Sequence, residues 1–153
     1  MSTINVIFNK NEIITVLPHR HPFLLVDKIL ELVKNKYVKT SKLIKKNDFF
    51  LKGHFPGFPI LPGVYIMEMM AQSSCFLLLK SQEKIFPKDF YCLSSIEKCY
   101  LKSFVFPTQK VVINIFIKKK KNLTKLKGIA KVNNKIVCIA YFSCMKINKD
   151  FIS

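Results

Sequence analysis

His54 stands inside GHFPGFPILPG, residues 53 to 63, where three of the four glycines and three of the seven prolines of the chain are gathered. It is one of three histidines, and an imidazole titrates near neutral pH and suits a general base. Glu68 follows in a segment whose positions within four residues include no basic side chain, among them Val64, Tyr65, Ala71 and Gln72. A carboxyl without a local ion-pair partner in apolar surroundings resists ionisation, and a raised pKa makes a general acid at neutral pH. Between these two groups, Pro62 suits the first position of a helix. No Ser, Thr, Asp or Asn stands ahead of it to cap the first amides. The N–H groups of Gly63 and Val64 are thereby free at the positive end of the helix dipole, where they can hold a carbonyl oxygen that gains negative charge. A base, an acid and an oxyanion site between residues 54 and 68 suit proton abstraction beside a carbonyl with acid assistance to a leaving group. Each feature also has a plainer account: a packed loop histidine, a distant lysine paired with Glu68, water on the open amides.

Other chemistry finds less support. No serine or cysteine nucleophile lies in an elbow motif, and no metal-ligand spacing is present. His19 and His21, in LPHRHPFLLVDK (17 to 28), lack identifiable further ligands. Arg20, the single arginine, reads as a structural fork for carbonyls or for a carboxylate such as Asp27.

The elements that must position these groups follow from periodicity. Residues 10 to 16 predict a helical turn or two ended by Pro18. Residues 23 to 33 and 36 to 44 predict two strands joined at Lys34 and Asn35. Residues 62 to 80 have helical length and are apolar nearly all round, so the helix needs cover on every side. A curved sheet covers much of it, and a second subunit is expected to cover the rest. After Pro87 the chain is strand-like: 90 to 106, 110 to 120, 123 to 132 and 135 to 147. The last two flank Asn133-Asn134, a two-residue hairpin turn. Cys138 and Cys144 share one strand face. Strands, one long helix and more strands predict a single α+β domain over residues 1 to 153, an antiparallel sheet wrapped on the helix.

The 153 residues suffice for one core, and with 50% hydrophobic residues the chain is not disordered. Five cysteines without a C-x-x-C pair fit reduced thiols and a cytoplasmic setting. Residues 1 to 14 lack the apolar core and cleavage site of a secretory leader. The apolar stretch from Phe55 to Leu79 carries prolines and a central Glu68, against membrane insertion. The net charge is +17, with lysine supplying all but one of the 26 basic residues. Readers of nucleic-acid bases favour arginine, so an acidic protein partner or a solvated lysine face is the better account.

Two blocks, LPHRHPFLLVDK and GHFPGFPILPGVYIMEMMAQ, closely resemble the bacterial 3-hydroxyacyl-acyl-carrier-protein dehydratases of fatty-acid synthesis. The resemblance spans about residues 10 to 147. It implies the hot-dog fold, with His54 and Glu68 as the catalytic pair and the Gly63 amide on the thioester carbonyl. It further implies a homodimer in which His54 of one subunit faces Glu68 of the other, commonly three dimers to a hexamer, and no metal or resident cofactor. The substrate would arrive on the phosphopantetheine of acyl carrier protein. Gly63, Val64 and Gln72 are the expected substrate-binding residues, with Gln72 able to orient the Glu68 carboxyl. A related dehydratase/isomerase branch carries aspartate where Glu68 stands. The chain departs from the family pattern at Pro107-Thr108-Gln109, where Pro-Gly-Asp is frequent, near Ile139, where an acidic residue is frequent, and near Ser103, where an arginine is. The alternatives are a hot-dog thioesterase, in which Glu68 activates water, and a non-enzymatic basic binding protein.

Overall fold

The computed structural model describes residues 8–151. The expectations for the leader and for both chain ends concern, at residues 1–7 and 152–153, positions outside the described residues. A short helix α1 (Lys10–Ile13) precedes two strands, β1 (Lys28–Val33) and β2 (Tyr37–Leu43). The long helix α2 (Gly63–Lys80) comes next, then β3 (Asp89–Leu101), β4 (Lys110–Lys119), β5 (Leu123–Val132) and β6 (Lys135–Asn148). The strands form one antiparallel sheet in the order β1-β2-β4-β5-β6-β3.

Local chemistry accounts for the turns. Asn133 and Asn134 close the β5–β6 hairpin with φ of 49° and 64°, left-handed values that asparagine tolerates. Asn35, with φ of 61°, does the same between β1 and β2. Asn9 and Glu12 cap α1 reciprocally, the Glu12 carboxylate accepting from the Asn9 amide at 2.8 Å.

Burial alternates along β5 and through the first half of β4, which places one face of the sheet on α2. The helix lies against β2 to β6. Gly128 marks a close approach of β5 to the helix: a Cβ there would stand 2.5 Å from Met70 Sδ. The other side of α2 is covered by the amino-terminal segment, through Leu25 and the Phe8 ring, 5.5 Å from that of Phe76. From Ile66 to Leu79 every residue of α2 except Glu68 is buried. The single chain thus covers most of the apolar helix, and the expected need for a second subunit reduces to its first turn and the surroundings of Glu68.

Three boundaries differ from the sequence reading by three residues or more. The first strand begins at Lys28 rather than 23, because the Leu25 amide is taken by a side chain of α2 instead of a neighbouring strand. Helix α1 stops at Ile13 rather than 16. The β3 strand ends at Leu101 rather than 106, since Lys102 donates to the Val137 carbonyl and Val105 accepts from Leu61. That departure carries residues 102 to 106 across the start of α2. Edge strand β3 is exposed from Ser94 onward and presents Ile96, Tyr100 and Leu101 to solvent.

Candidate active site

The loop before α2 holds His54 by its own backbone. Gly53 and Gly57 take φ of 81° and 74°, which residues with a Cβ rarely adopt. The His54 carbonyl accepts from the Ile60 amide at 2.9 Å, and His54 Nδ1 lies 3.0 Å from the Ile60 carbonyl oxygen. A carbonyl can only accept, so Nδ1 carries the hydrogen and Nε2 is left with a free lone pair. The ring stacks on Phe55 at 4.1 Å. These contacts fix the ring so that a neutral form would offer Nε2 as the base.

Pro62 is the N-cap of α2, with ψ of 134°, and Gly63 is the first helical residue. This corrects the placement of Pro62 inside the helix: the Leu61 amide is drawn to the Val105 carbonyl at 2.8 Å, and the chain is still extended there. Pro62 has no side-chain group to cap the helix, and among the described residues neither the Gly63 nor the Val64 amide has a partner. The exposed end of the Leu101 side chain lies against Gly63, where a Cβ would have to push it aside. The Val64 side chain is 73% exposed.

Glu68 lies five residues along α2 from Gly63, about 140° around the axis at 3.6 residues per turn. The two therefore face different spaces. Gly63 and His54 line a cavity of about 1040 Å³ with Phe55, Leu101, Lys102 and Lys135. Glu68 lines another of about 280 Å³ with His19, Ala71, Phe90, Tyr91 and Cys92. The sequence placed His54 and Glu68 within fifteen residues, but in one chain they do not share a cavity.

No lysine or arginine reaches Glu68 among the described residues. Burial pushes its carboxyl above the usual range, and a hydrogen bond from Gln72 opposes that in part. Gln72, one turn on, is fully buried. Its Oε1 accepts from the Leu25 amide at 2.8 Å. Its Nε2 donates to the Phe23 carbonyl at 2.8 Å and to Glu68 Oε1 at 2.9 Å. Every polar atom of Gln72 is thus engaged by protein, an arrangement that suits orienting the Glu68 carboxyl. Glu68 Oε1 is the acceptor, so the proton of the neutral carboxyl belongs on Oε2.

Arg20 donates to the carbonyls of Leu17 (2.7 Å) and His19 (2.8 Å), as a structural fork; Asp27 is held instead by Lys42 at 3.5 Å and by the Leu43 amide at 2.8 Å. The residue that sequence reasoning missed is His19. Its Nε2 lies 3.8 Å from Glu68 Oε1. The available signal was a histidine held between Pro18 and the single arginine.

An apolar helix laid on a six-stranded antiparallel sheet is the hot-dog fold, and solved structures similar to the chain agree. The dehydratase heterocomplex ApeI:P from Xenorhabdus doucetiae superposes with a TM-score of 0.74 at 15% identity, covering 92% of this chain and 93% of that one. A hot-dog-like protein from Thermanaerovibrio acidaminovorans gives 0.63 at 10% identity, over 79% and 87%. The model of the FabA-like domain matches residues 17–141. The 3-hydroxyacyl-[acyl-carrier-protein] dehydratase FabZ of Erwinia tasmaniensis is 43% identical over 136 residues, 88% of this chain and 90% of its own. That of Blochmanniella floridana is 40% identical over 147 residues, 95% and 97%. The chain belongs to the FabA-like family and, within it, to the 3-hydroxyacyl-[acyl-carrier-protein] dehydratases.

Proposed function

We propose that the chain carries out its family's dehydration, a step of fatty-acid biosynthesis, by acid–base catalysis between His54 of one subunit and Glu68 of another. The substrate is a (3R)-3-hydroxyacyl thioester on acyl carrier protein, and the product is the trans-2-enoyl thioester. His54 Nε2 takes the proton at C2. The electron pair moves into the C2–C3 bond, the C3–O bond breaks, and Glu68 Oε2 gives its proton to the departing hydroxyl, which leaves as water. The Gly63 and Val64 amides stabilise the thioester oxygen as it gains charge. No metal or resident cofactor enters these steps.

The observation that carries this reading is the Glu68 carboxyl, kept above its ordinary pKa by burial and aimed by Gln72. The separate cavities of His54 and Glu68 support a site completed by a second chain, with the exposed β3 edge beside it. Such dimers assemble in threes. Lys102 and Lys135 at the His54 cavity suit an acidic carrier protein and the phosphate of its phosphopantetheine. The reduced thiols accord with a cytoplasmic enzyme.

The test follows enoyl absorbance with a hydroxybutyryl carrier protein. His54→Ala and Glu68→Gln should each lose roughly 10²- to 10⁴-fold in kcat. Full activity in both variants refutes the mechanism, and a free thiol as product would favour a thioesterase.

A further inference from the structure

His19 is a half-buried polar group that the chemistry above leaves unused. It enters the Glu68 cavity from the segment between α1 and β1, 49 positions before Glu68. Its backbone is fixed on one side by the Arg20 guanidinium, which bonds the His19 carbonyl itself. Its Nε2 stands 3.8 Å from Glu68 Oε1, just beyond hydrogen-bond reach. Its Nδ1 is buried and has no partner among the described residues.

Those two nitrogens determine the tautomer. Burial, assisted by the Arg20 charge, lowers the His19 pKa, so the ring is neutral at neutral pH and carries one hydrogen. A hydrogen on Nδ1 would be a buried donor with no acceptor, whereas on Nε2 it faces the Glu68 carboxyl. The Nε2–H group therefore points to an oxygen that shares the negative charge when Glu68 gives up its proton from Oε2.

We infer that His19 is a positioning residue for the acid step, a neutral Nε2–H donor that closes on Glu68 Oε1 as the carboxyl loses its proton to the leaving hydroxyl. No proton leaves His19: the hydrogen bond shortens as charge builds on Oε1 and lengthens when Glu68 is reprotonated. At 3.8 Å the donor does little for the neutral acid and more for the developing carboxylate, which is the difference that accelerates a step. A protonated His19 would be a cation beside Glu68 and would strip it of its acidic proton, so its neutrality also matters.

The other titratable groups about Glu68 are Tyr91 and Cys92 on the cavity wall and the buried thiols of Cys75 and Cys144. Burial pushes Cys75 and Cys144 up to about 12 and raises Cys92. The three thiols thus stay neutral through the working range. Arg20 is turned to the Leu17 and His19 carbonyls.

The inference rests on Glu68 being the acid. The experiment measures kcat, KM, the pH profile and the melting temperature of His19→Ala, His19→Gln and His19→Asn, beside Glu68→Gln. A glutamine amide nitrogen reaches the position of Nε2, and an asparagine one only that of Nδ1. His19→Ala should lose about 10- to 100-fold in kcat with KM unchanged, a fraction of the loss of a full oxyanion donor. Its alkaline limb should move to higher pH, since the ionised Glu68 loses a donor. His19→Gln should recover most of kcat and His19→Asn little. Wild-type kcat and profile in His19→Ala overturn the inference. So do equal losses in the glutamine and asparagine variants that follow the melting temperature. If Glu68→Gln is fully active, the acid assignment itself fails; if it is inactive while His19→Ala is normal, only the role of His19 fails.

Discussion

Replacing Gln72 by methionine keeps the volume of the side chain and removes its three hydrogen bonds. Two consequences separate cleanly. The Leu25 amide, buried and bonded only to Gln72 Oε1 among the described residues, becomes an orphan donor. Such a group costs about 1–3 kcal/mol. For a domain of this size that lowers Tm by about 2–12 °C. The Phe23 carbonyl lies nearer the surface and can turn to water, so it adds little. The second consequence is chemical. Glu68 loses the donor that holds Oε1, and a carboxyl free to rotate spends less time aimed at the leaving hydroxyl; misplacement of this kind costs up to about 10²-fold in kcat. The bond from Gln72 also lowers the Glu68 pKa, so its loss moves that pKa further up. As the proposed general acid, Glu68 must be protonated to act, hence the alkaline limb of the rate profile should shift to higher pH even as its plateau falls. Thermal melts and enoyl formation across pH measure both. A Gln72→Met enzyme with the wild-type plateau, limb and Tm would refute the view that Gln72 aims the acid.

Two further outcomes concern stability. The folded pKa of Glu68 lies above its unfolded value, so the fold is favoured by the neutral carboxyl, fully so below the unfolded pKa, and that preference is lost as pH rises through the folded one. Glu68→Gln, always neutral, should melt above wild type at alkaline pH and level with it at acid pH; identical melting curves throughout would contradict the burial argument. Thr108 holds φ of 70° in the Pro107-Thr108-Gln109 turn, a left-handed conformation that suits glycine better than a β-branched residue. Thr108→Gly should gain about 1 kcal/mol, the relieved strain exceeding the added freedom of the unfolded chain, and a lower Tm would count against that account.

What the sequence made legible depended on local signals. The reach of α2 followed from an apolar run begun by Pro-Gly, and the β5–β6 hairpin followed from two asparagines. The isolated Glu68 was visible because its helical neighbours carry no base. The Pro107-Thr108-Gln109 turn forms despite its departure from Pro-Gly-Asp, since the Gln109 side chain accepts from the Phe106 amide at 2.8 Å. Contacts between distant segments were not legible. Gln72 could be seen to reach Glu68, but not that Leu25 and Phe23 would claim the rest of its amide. Nothing local announces that His19 meets Glu68, because a loop brings them together. Pro62 was misplaced by one position because the Leu61 amide answers to Val105, more than forty residues away.

The proposed mechanism requires His54 and Glu68 to act together across two chains. A dimer purified through two different tags, one chain His54→Ala and the other Glu68→Gln, tests it directly. Each homodimer lacks one member of the pair at both sites. The mixed dimer keeps one site with both, and its kcat should return to about half that of the wild-type dimer. A mixed dimer as inactive as its parents would contradict the shared site.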